Sequence, residues 1–197
     1  FIINFFNDAE NKSFDYRQTL LVKYKHLVPN SDIVVLAIDD ASYEYVLDKY
    51  GEWPITRKVY ADVINLIEKD NPKAIVFDLM FIKSFKNDLA SDKLLATTMA
   101  KYPNIYTAIN FDNEAEDVRL PIDLPSRMEA NVDINSKNVD FSKSFEFTNC
   151  RSIIQEILNS KVKIGAININ RSNDGIIRTA PSFAKYKNNY YPYLSLM

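Results

Sequence analysis

The stretch Thr56-Arg57-Lys58-Val59-Tyr60-Ala61-Asp62-Val63-Ile64-Asn65-Leu66-Ile67, followed across Asn71-Pro72 by Ala74-Ile75-Val76-Phe77-Asp78-Leu79, decides the fold class. Thr56 is a good N-cap after Pro54, and Val59, Tyr60, Val63, Ile64 and Ile67 recur at helical spacing to make one apolar stripe. Ala74 to Leu79 is short, apolar and β-branched, which predicts a buried strand. Upstream, Ile33-Val34-Val35-Leu36-Ala37-Ile38 reads the same way between Pro29-Asn30-Ser31 and Asp39-Asp40, as a central strand. Strand, helix and strand form a βαβ unit with a right-handed crossover expected. The predicted architecture is α/β, a layered sandwich around a mainly parallel sheet.

Working outward, the spacing predicts an opening helix over Phe14 to Tyr24 and a short helix from Ala41 to Tyr50, ended by Gly51 in a positive-φ position. A third helix is expected from Asp88 to Tyr102, with Leu94, Leu95, Thr98, Met99 and Tyr102 inward, leading to a strand over Ile105 to Ile109. Asp112 to Lys143 is polar and without clear period. Ser152 to Leu158 reads as a short helix and Val162 to Ile169 as a strand holding Gly165. Asn173-Asp174-Gly175 signals a hairpin into Ile176 to Thr179, and Asn188-Asn189 a second antiparallel hairpin joining Ser182–Tyr186 to Tyr190-Tyr191. One domain is expected: opening helix 1–28, βαβ core 29–110, polar insertion 111–150 and C-terminal strands 151–197.

Composition narrows the chemistry. The 197 residues include three Gly, where average usage of about 7% would give about fourteen, so phosphate-cradling glycine loops have no material and no cofactor is expected. With 24 Lys+Arg against 26 Asp+Glu there is no basic surplus for nucleic acid. One His and one Cys cannot furnish a Cys/His zinc site. No run reaches the roughly 18 apolar residues of a membrane helix. A start at Phe1 without Met and an end in Leu194-Ser195-Leu196-Met197 suggest a fragment of a longer protein.

Asp39 closes the first predicted strand and Asp78 the second, so a parallel arrangement brings both carboxylates to the carboxyl edge of the sheet, where open α/β sheets bind ligands. Asp40 and Ser42 follow in the loop, while Arg57 belongs to the opposite edge unless the Trp53-Pro54 loop folds back. Such a group suits oxygen coordination of Mg²⁺ or Ca²⁺, or an arginine-balanced polar ligand. The same residues also have a structural reading: Asp39 and Asp40 cap a helix at Ala41, and Asp78 pairs with a basic residue. Trp53-Pro54-Ile55-Thr56-Arg57 either shapes a ligand pocket or plugs the helix start, with Arg57 bound to Asp39 or Asp78. Arg178, after Asp174-Gly175-Ile176-Ile177, reads as a turn arginine reaching back to a sheet carboxylate. The candidate ligand residues are thus Asp39, Asp40, Ser42, Trp53, Arg57, Asp78 and Arg178. An aspartyl phosphatase lacks its second acid in Ile38-Asp39-Asp40-Ala41-Ser42, and His26 and Cys150 lack the partners of a nucleophilic site, so no catalytic residue is assigned.

Taken in order, Ile38-Asp39-Asp40-Ala41-Ser42, Trp53-Pro54-Ile55-Thr56-Arg57 with Tyr60-Ala61, and Phe77-Asp78-Leu79-Met80-Phe81 resemble the leading motifs of the second CHASE family of sensory extracellular domains. Gly165 with Asn168, Asp174-Gly175-Ile176-Ile177-Arg178 and Tyr191-Pro192-Tyr193-Leu194-Ser195-Leu196 match its later signature, and Phe14-Asp15-Tyr16-Arg17 its opening helix. The resemblance implies an extracytoplasmic sensor domain of a bacterial receptor, non-enzymatic itself, coupled through membrane helices to a cytoplasmic cyclase, histidine kinase or diguanylate cyclase. Its expected partners are an unidentified small-molecule or ionic ligand, the flanking membrane helices and a second copy in a homodimer. A metal-dependent α/β hydrolase and a dimerisation scaffold without a small ligand are the alternatives.

Overall fold

The computed structural model describes residues 2–25, 30–51, 53–84, 88–113, 124, 144–160, 162–169, 171–172 and 174–197, with the side chains of 2–5 and 7 excepted. His26 and nearly all of the polar stretch after Asn113 lie outside the described residues. The chain divides into two compact units, Phe1–Gly51 and Glu52–Met197.

The first unit holds α1 (Ile2–Tyr24) and α2 (Asp40–Tyr50). The opening helix therefore begins twelve residues before the expected Phe14. Gly51 ends α2 at φ +74°, with its amide donating to the Leu47 carbonyl. This is the left-handed C-cap that glycine adopts without steric cost. Between the helices, Ile33 to Ile38 is not the expected central strand: it forms no ladder among the described residues, and Val34 and Val35 are 79% and 81% exposed. β-Branched apolar side chains permit extended backbone, but only a paired neighbouring strand makes a ladder.

The second unit contains the α/β core. Its elements are α3 (Arg57–Ile67), β1 (Ile75–Phe77), α4 (Leu89–Lys101), β2 (Ile105–Asp112), β3 (Phe145–Phe147), β4 (Asn149–Arg151), α5 (Gln155–Asn159), β5 (Lys163–Ala166), β6 (Phe183–Tyr186) and β7 (Asn189–Pro192). β2 pairs parallel with β1 and β5 and antiparallel with β4. A second sheet joins β3 parallel to β6 and β6 antiparallel to β7. Among the described residues the fold is mixed α/β with two mixed sheets, in place of the single mainly parallel sheet expected. The parallel connections run β1–α4–β2 and β2–α5–β5, so the βαβ logic applies one helix later along the chain than expected.

α3 and α4 pack on each other, burying Ala61, Ile64, Leu95 and Met99 together with Ile105 and Ile109 of β2. Full burial of each large side chain contributes about 1.5–3 kcal/mol. The inward face of α4 differs from the expected one: Leu94 is 42% exposed, while Ser91 and Asp92 are buried. The two α3 and α4 N-termini share one anchor. Asp88 Oδ1 accepts the Ser91 amide at 3.1 Å, capping α4, and its Oδ2 accepts the hydroxyl of Thr56, the α3 N-cap, at 3.1 Å. At the other end the Tyr102 hydroxyl donates to Asn65 at 3.0 Å.

Asparagine side chains complete the strand pairing where backbone partners run out. After Ala166 the Ile167 amide still donates to the Ile109 carbonyl, and then the Asn168 side chain takes over. Its Oδ1 accepts the Phe111 amide at 3.0 Å and its Nδ2 donates to the Phe111 carbonyl, mimicking a peptide group. Asn113 similarly accepts the Thr148 amide at 2.8 Å and donates to the Glu146 carbonyl at 3.1 Å. Both sheets meet around Phe111, whose ring stacks on Phe147 at 5.8 Å and packs against Tyr186 and Tyr191 at 5.3 and 5.4 Å.

The expected β6–β7 hairpin forms, but it turns at Lys187-Asn188, one residue before the expected Asn188-Asn189, and Asn189 pairs with Tyr186. Ile176 to Thr179, by contrast, forms no strand. Its turn is real, with Gly175 at φ +81° and the Ser172 amide donating to the Ile176 carbonyl, but no ladder follows.

Candidate functional site

The chain leaving β1 passes through Asp78, Leu79, Met80 and Phe81, and the N-termini of α3 and α4 converge on it. Because α3 delivers the chain to the start of β1, its N-terminus lies at the carboxyl end of that strand. Arg57 is therefore at the carboxyl edge, a correction to its expected placement at the opposite one. Its contacts with the Phe81 ring and the Lys83 carbonyl, both past the end of β1, fix this placement.

Arg57 is almost fully buried. Its Nε lies 3.5 Å from Asp92 Oδ1, its guanidinium sits 4.8 Å above the Phe81 ring, and it donates to the Lys83 carbonyl at 3.2 Å. Phe81 in turn meets Tyr60 and Phe77 edge to face at 5.4 and 5.8 Å. Burial pulls the Arg57 guanidinium below its usual range, an effect the Asp92 charge opposes. The sequence reading pairs Arg57 with Asp39 or Asp78; the charge partner that the structure shows is Asp92 of α4. A signal for Asp92 existed in the sequence: it shares a helix face with Leu95, Ala96 and Met99, and an acid on a buried stripe requires a cation.

Asp78 follows β1 and is exposed, and Trp53, joined to Pro54 by a cis peptide bond, is 42% exposed. Ile55 beside them is buried, so the Trp53–Arg57 segment is anchored by Ile55, Thr56 and Arg57 and presents Trp53 outward. Trp53 and Asp78 thus stand exposed on the two segments that Arg57 ties together through the Phe81 ring and the Lys83 carbonyl.

In the first unit Asp39 is the N-cap of α2, its Oδ1 accepting the Ser42 amide at 2.9 Å and the Ser42 hydroxyl at 2.7 Å. Those bonds, the backbone one first, hold its carboxyl below the usual range. Asp40 is the first residue of α2 and exposed. With Ile33 to Ile38 unpaired, Asp39 and Ser42 form a helix cap, not the end of a sheet strand.

The Arg178 side chain is buried beside its own turn. It grips Asp174 within its own turn, at 3.0 Å from Nη1 to Oδ1 and 2.6 Å from Nη2 to Oδ2, a bidentate pair. The Arg178 bonds and the Ile176 amide lower the Asp174 carboxyl to about 2. A depressed carboxylate stabilises the fold above its unfolded value and loses that contribution as pH falls through the folded one. The turn should therefore hold at pH 4 and loosen toward pH 2, with an Asp174 carboxyl midpoint near 2 by carbon-detected NMR. A midpoint near the unperturbed 3.8 would show that the pair does not form in solution.

Cys150 is buried and its thiol is pushed up to about 12, first by burial and then by the Asp112 charge, which makes it an inert packing group. Among the described residues no group of three or more His, Cys, Asp or Glu side chains is placed to hold a metal ion. No helix among them is long and apolar enough to cross a membrane.

Compared with known proteins, the chain matches the family model of the CHASE2 domain over residues 1–197. No curated protein and no solved structure matches it.

Proposed function

This chain belongs to the CHASE2 domain family, sensory extracellular domains of signalling receptors, and we propose that it is the ligand-sensing module of a bacterial transmembrane receptor. The observation that carries this reading is the family match along the whole chain. The module lies outside the cytoplasmic membrane, performs no catalysis itself, and passes its signal through flanking membrane helices to a cytoplasmic cyclase, histidine kinase or diguanylate cyclase. Its ligand is a small polar or ionic molecule. At the carboxyl end of β1, Trp53 and Asp78 contact it, and Arg57, held from beneath by Asp92, fixes the loop that presents them. Separately, each within its own unit, the α2 cap of Asp39, Asp40 and Ser42 and the Asp174–Arg178 turn are further candidate polar groups. A ligand can bias only states that it binds differently, so the signal is the difference in affinity between two arrangements of this domain.

The test is a thermal-shift screen of the protein against metabolites and metal ions, repeated with Asp78→Ala and Asp39→Ala. A ligand at a hundred times its Kd adds about 2.7 kcal/mol, which for a chain of this size raises Tm by roughly 5–10 °C. At least one compound should give such a rise, reduced in Asp78→Ala. If no compound shifts the protein, the reading falls to that of a dimerisation scaffold. Metal-dependent turnover of a generic phosphoester would replace it with a hydrolase.

A further inference from the structure

Asp174 is the one aspartate of the chain that is followed by glycine. An aspartyl-glycyl bond carries a reaction of its own. The glycine nitrogen attacks the side-chain carboxyl carbon, water leaves, and a cyclic succinimide closes. Water then reopens the ring at either carbonyl, returning aspartate or leaving the main chain routed through the β-carbon as isoaspartate. Glycine favours the closure because it has no side chain to obstruct the ring.

Packing gives this bond little shelter. A Cβ built at Gly175 would meet nothing within 4 Å, and the Asp174 side chain is 48% exposed. What restrains the carboxyl is hydrogen bonding. Arg178 grips both oxygens, Nη1 on Oδ1 at 3.0 Å and Nη2 on Oδ2 at 2.6 Å, and Oδ1 also accepts the Ile176 amide at 3.2 Å. The nitrogen that would attack is committed as well, since the Gly175 amide donates to the Ser172 carbonyl at 2.8 Å. Arg178 is a firm anchor, its side chain only 7% exposed. A planar fork on two oxygens fixes the carboxyl in orientation as well as in place. Ring closure needs the carboxyl carbon to swing onto the Gly175 nitrogen and one oxygen to leave as water, and the bidentate grip opposes both. With the carboxyl lowered to about 2, the group is also ionised at neutral pH, and a carboxylate is a poorer electrophile than the acid.

We propose that Asp174-Gly175 is a site of isoaspartate formation that Arg178 holds shut. The water lost on closing the ring is regained on opening it, so no further reactant is required. The rearranged chain carries Cβ in its backbone and the free carboxylate on Cα, where the present Asp174–Arg178 geometry cannot re-form. An opening of the clamp that proceeds to ring closure is thereby written into the covalent structure. The geometry of the turn carries this, whatever the domain senses.

The test incubates the protein at neutral pH, folded and, in parallel, unfolded in guanidinium chloride. The peptide spanning Asp174-Gly175 is then followed by chromatography and mass spectrometry. Succinimide is lighter by the mass of water, and isoaspartate has unchanged mass with a shifted retention. Product should form at least about tenfold more slowly in the folded wild type than in the unfolded chain, as expected when hydrogen bonds to charged groups must first break. Folded Arg178→Ala should approach the unfolded rate, and Arg178→Lys, which keeps the charge without the fork, should fall between. The proposal is overturned by a folded wild type that reacts as fast as the unfolded chain. It is equally overturned by a folded Arg178→Ala as slow as the wild type, which would assign the protection to the backbone turn. Should Arg178→Ala fail to fold, Arg178→Lys decides: a rate above that of the wild type supports the clamp, and an equal rate refutes it.

Discussion

Asp92→Ala should cost about 3–5 kcal/mol of unfolding free energy, because it leaves the Arg57 guanidinium buried without its charge partner. Urea unfolding measures this directly. The neighbours make the loss hard to recover: Arg57 is fixed over Phe81 and to the Lys83 carbonyl, so it cannot swing to solvent without abandoning both. Replacing the pair together, Arg57→Met with Asp92→Leu, should return much of the stability, since a buried ion pair is often no better than apolar groups of similar volume. A single substitution costing under about 1 kcal/mol would place the pair in the class of solvent-screened bridges and remove the proposed support beneath Trp53 and Asp78. The double variant then serves as a functional probe. If it is stable yet loses a ligand response, the guanidinium acts on the ligand site and not merely on folding.

Phe111→Ala should be comparably destabilising, by about 3–5 kcal/mol. Phe111 is buried at the meeting of both sheets, touching Phe147, Tyr186 and Tyr191, and its backbone is clasped by the Asn168 amide. The cavity would open between sheets and not within one, so its effect has a direction. Protection of β6 and β7 amides should fall further than that of β1 and α4. Uniform loss across both sheets would mean that they unfold as a single cooperative unit and that Phe111 is not their joint.

Periodicity was enough to find α3, α4 and the β6–β7 hairpin, because each carries its own local evidence: a cap at Thr56 or Asp88, a stripe, a turn. Gly51 was legible for the same reason, since a left-handed cap is a one-residue requirement. What local evidence cannot supply is a partner. Ile33 to Ile38 has every preference of a buried strand, yet it is exposed and forms no ladder among the described residues. β3 and β4 are three residues each, too short to show alternation, and exist because β6 and β2 accept them. The candidate site divided likewise. Asp39 as a cap was readable from its neighbours. The pairing of Arg57 with Asp92 spans thirty-five residues and needed α3 and α4 side by side.

The carboxylate of Asp88 caps α4 with one oxygen and holds the α3 cap residue Thr56 with the other. Two cylinders pinned at a common pivot cannot slide independently. The hydroxyl–carboxylate pin ties the starts of both helices, and the buried Ala61, Ile64, Leu95 and Met99 hold them together along their length. In mechanical terms Asp88 is a hinge pin, and Thr56→Val would be a way to draw it while leaving both rods whole.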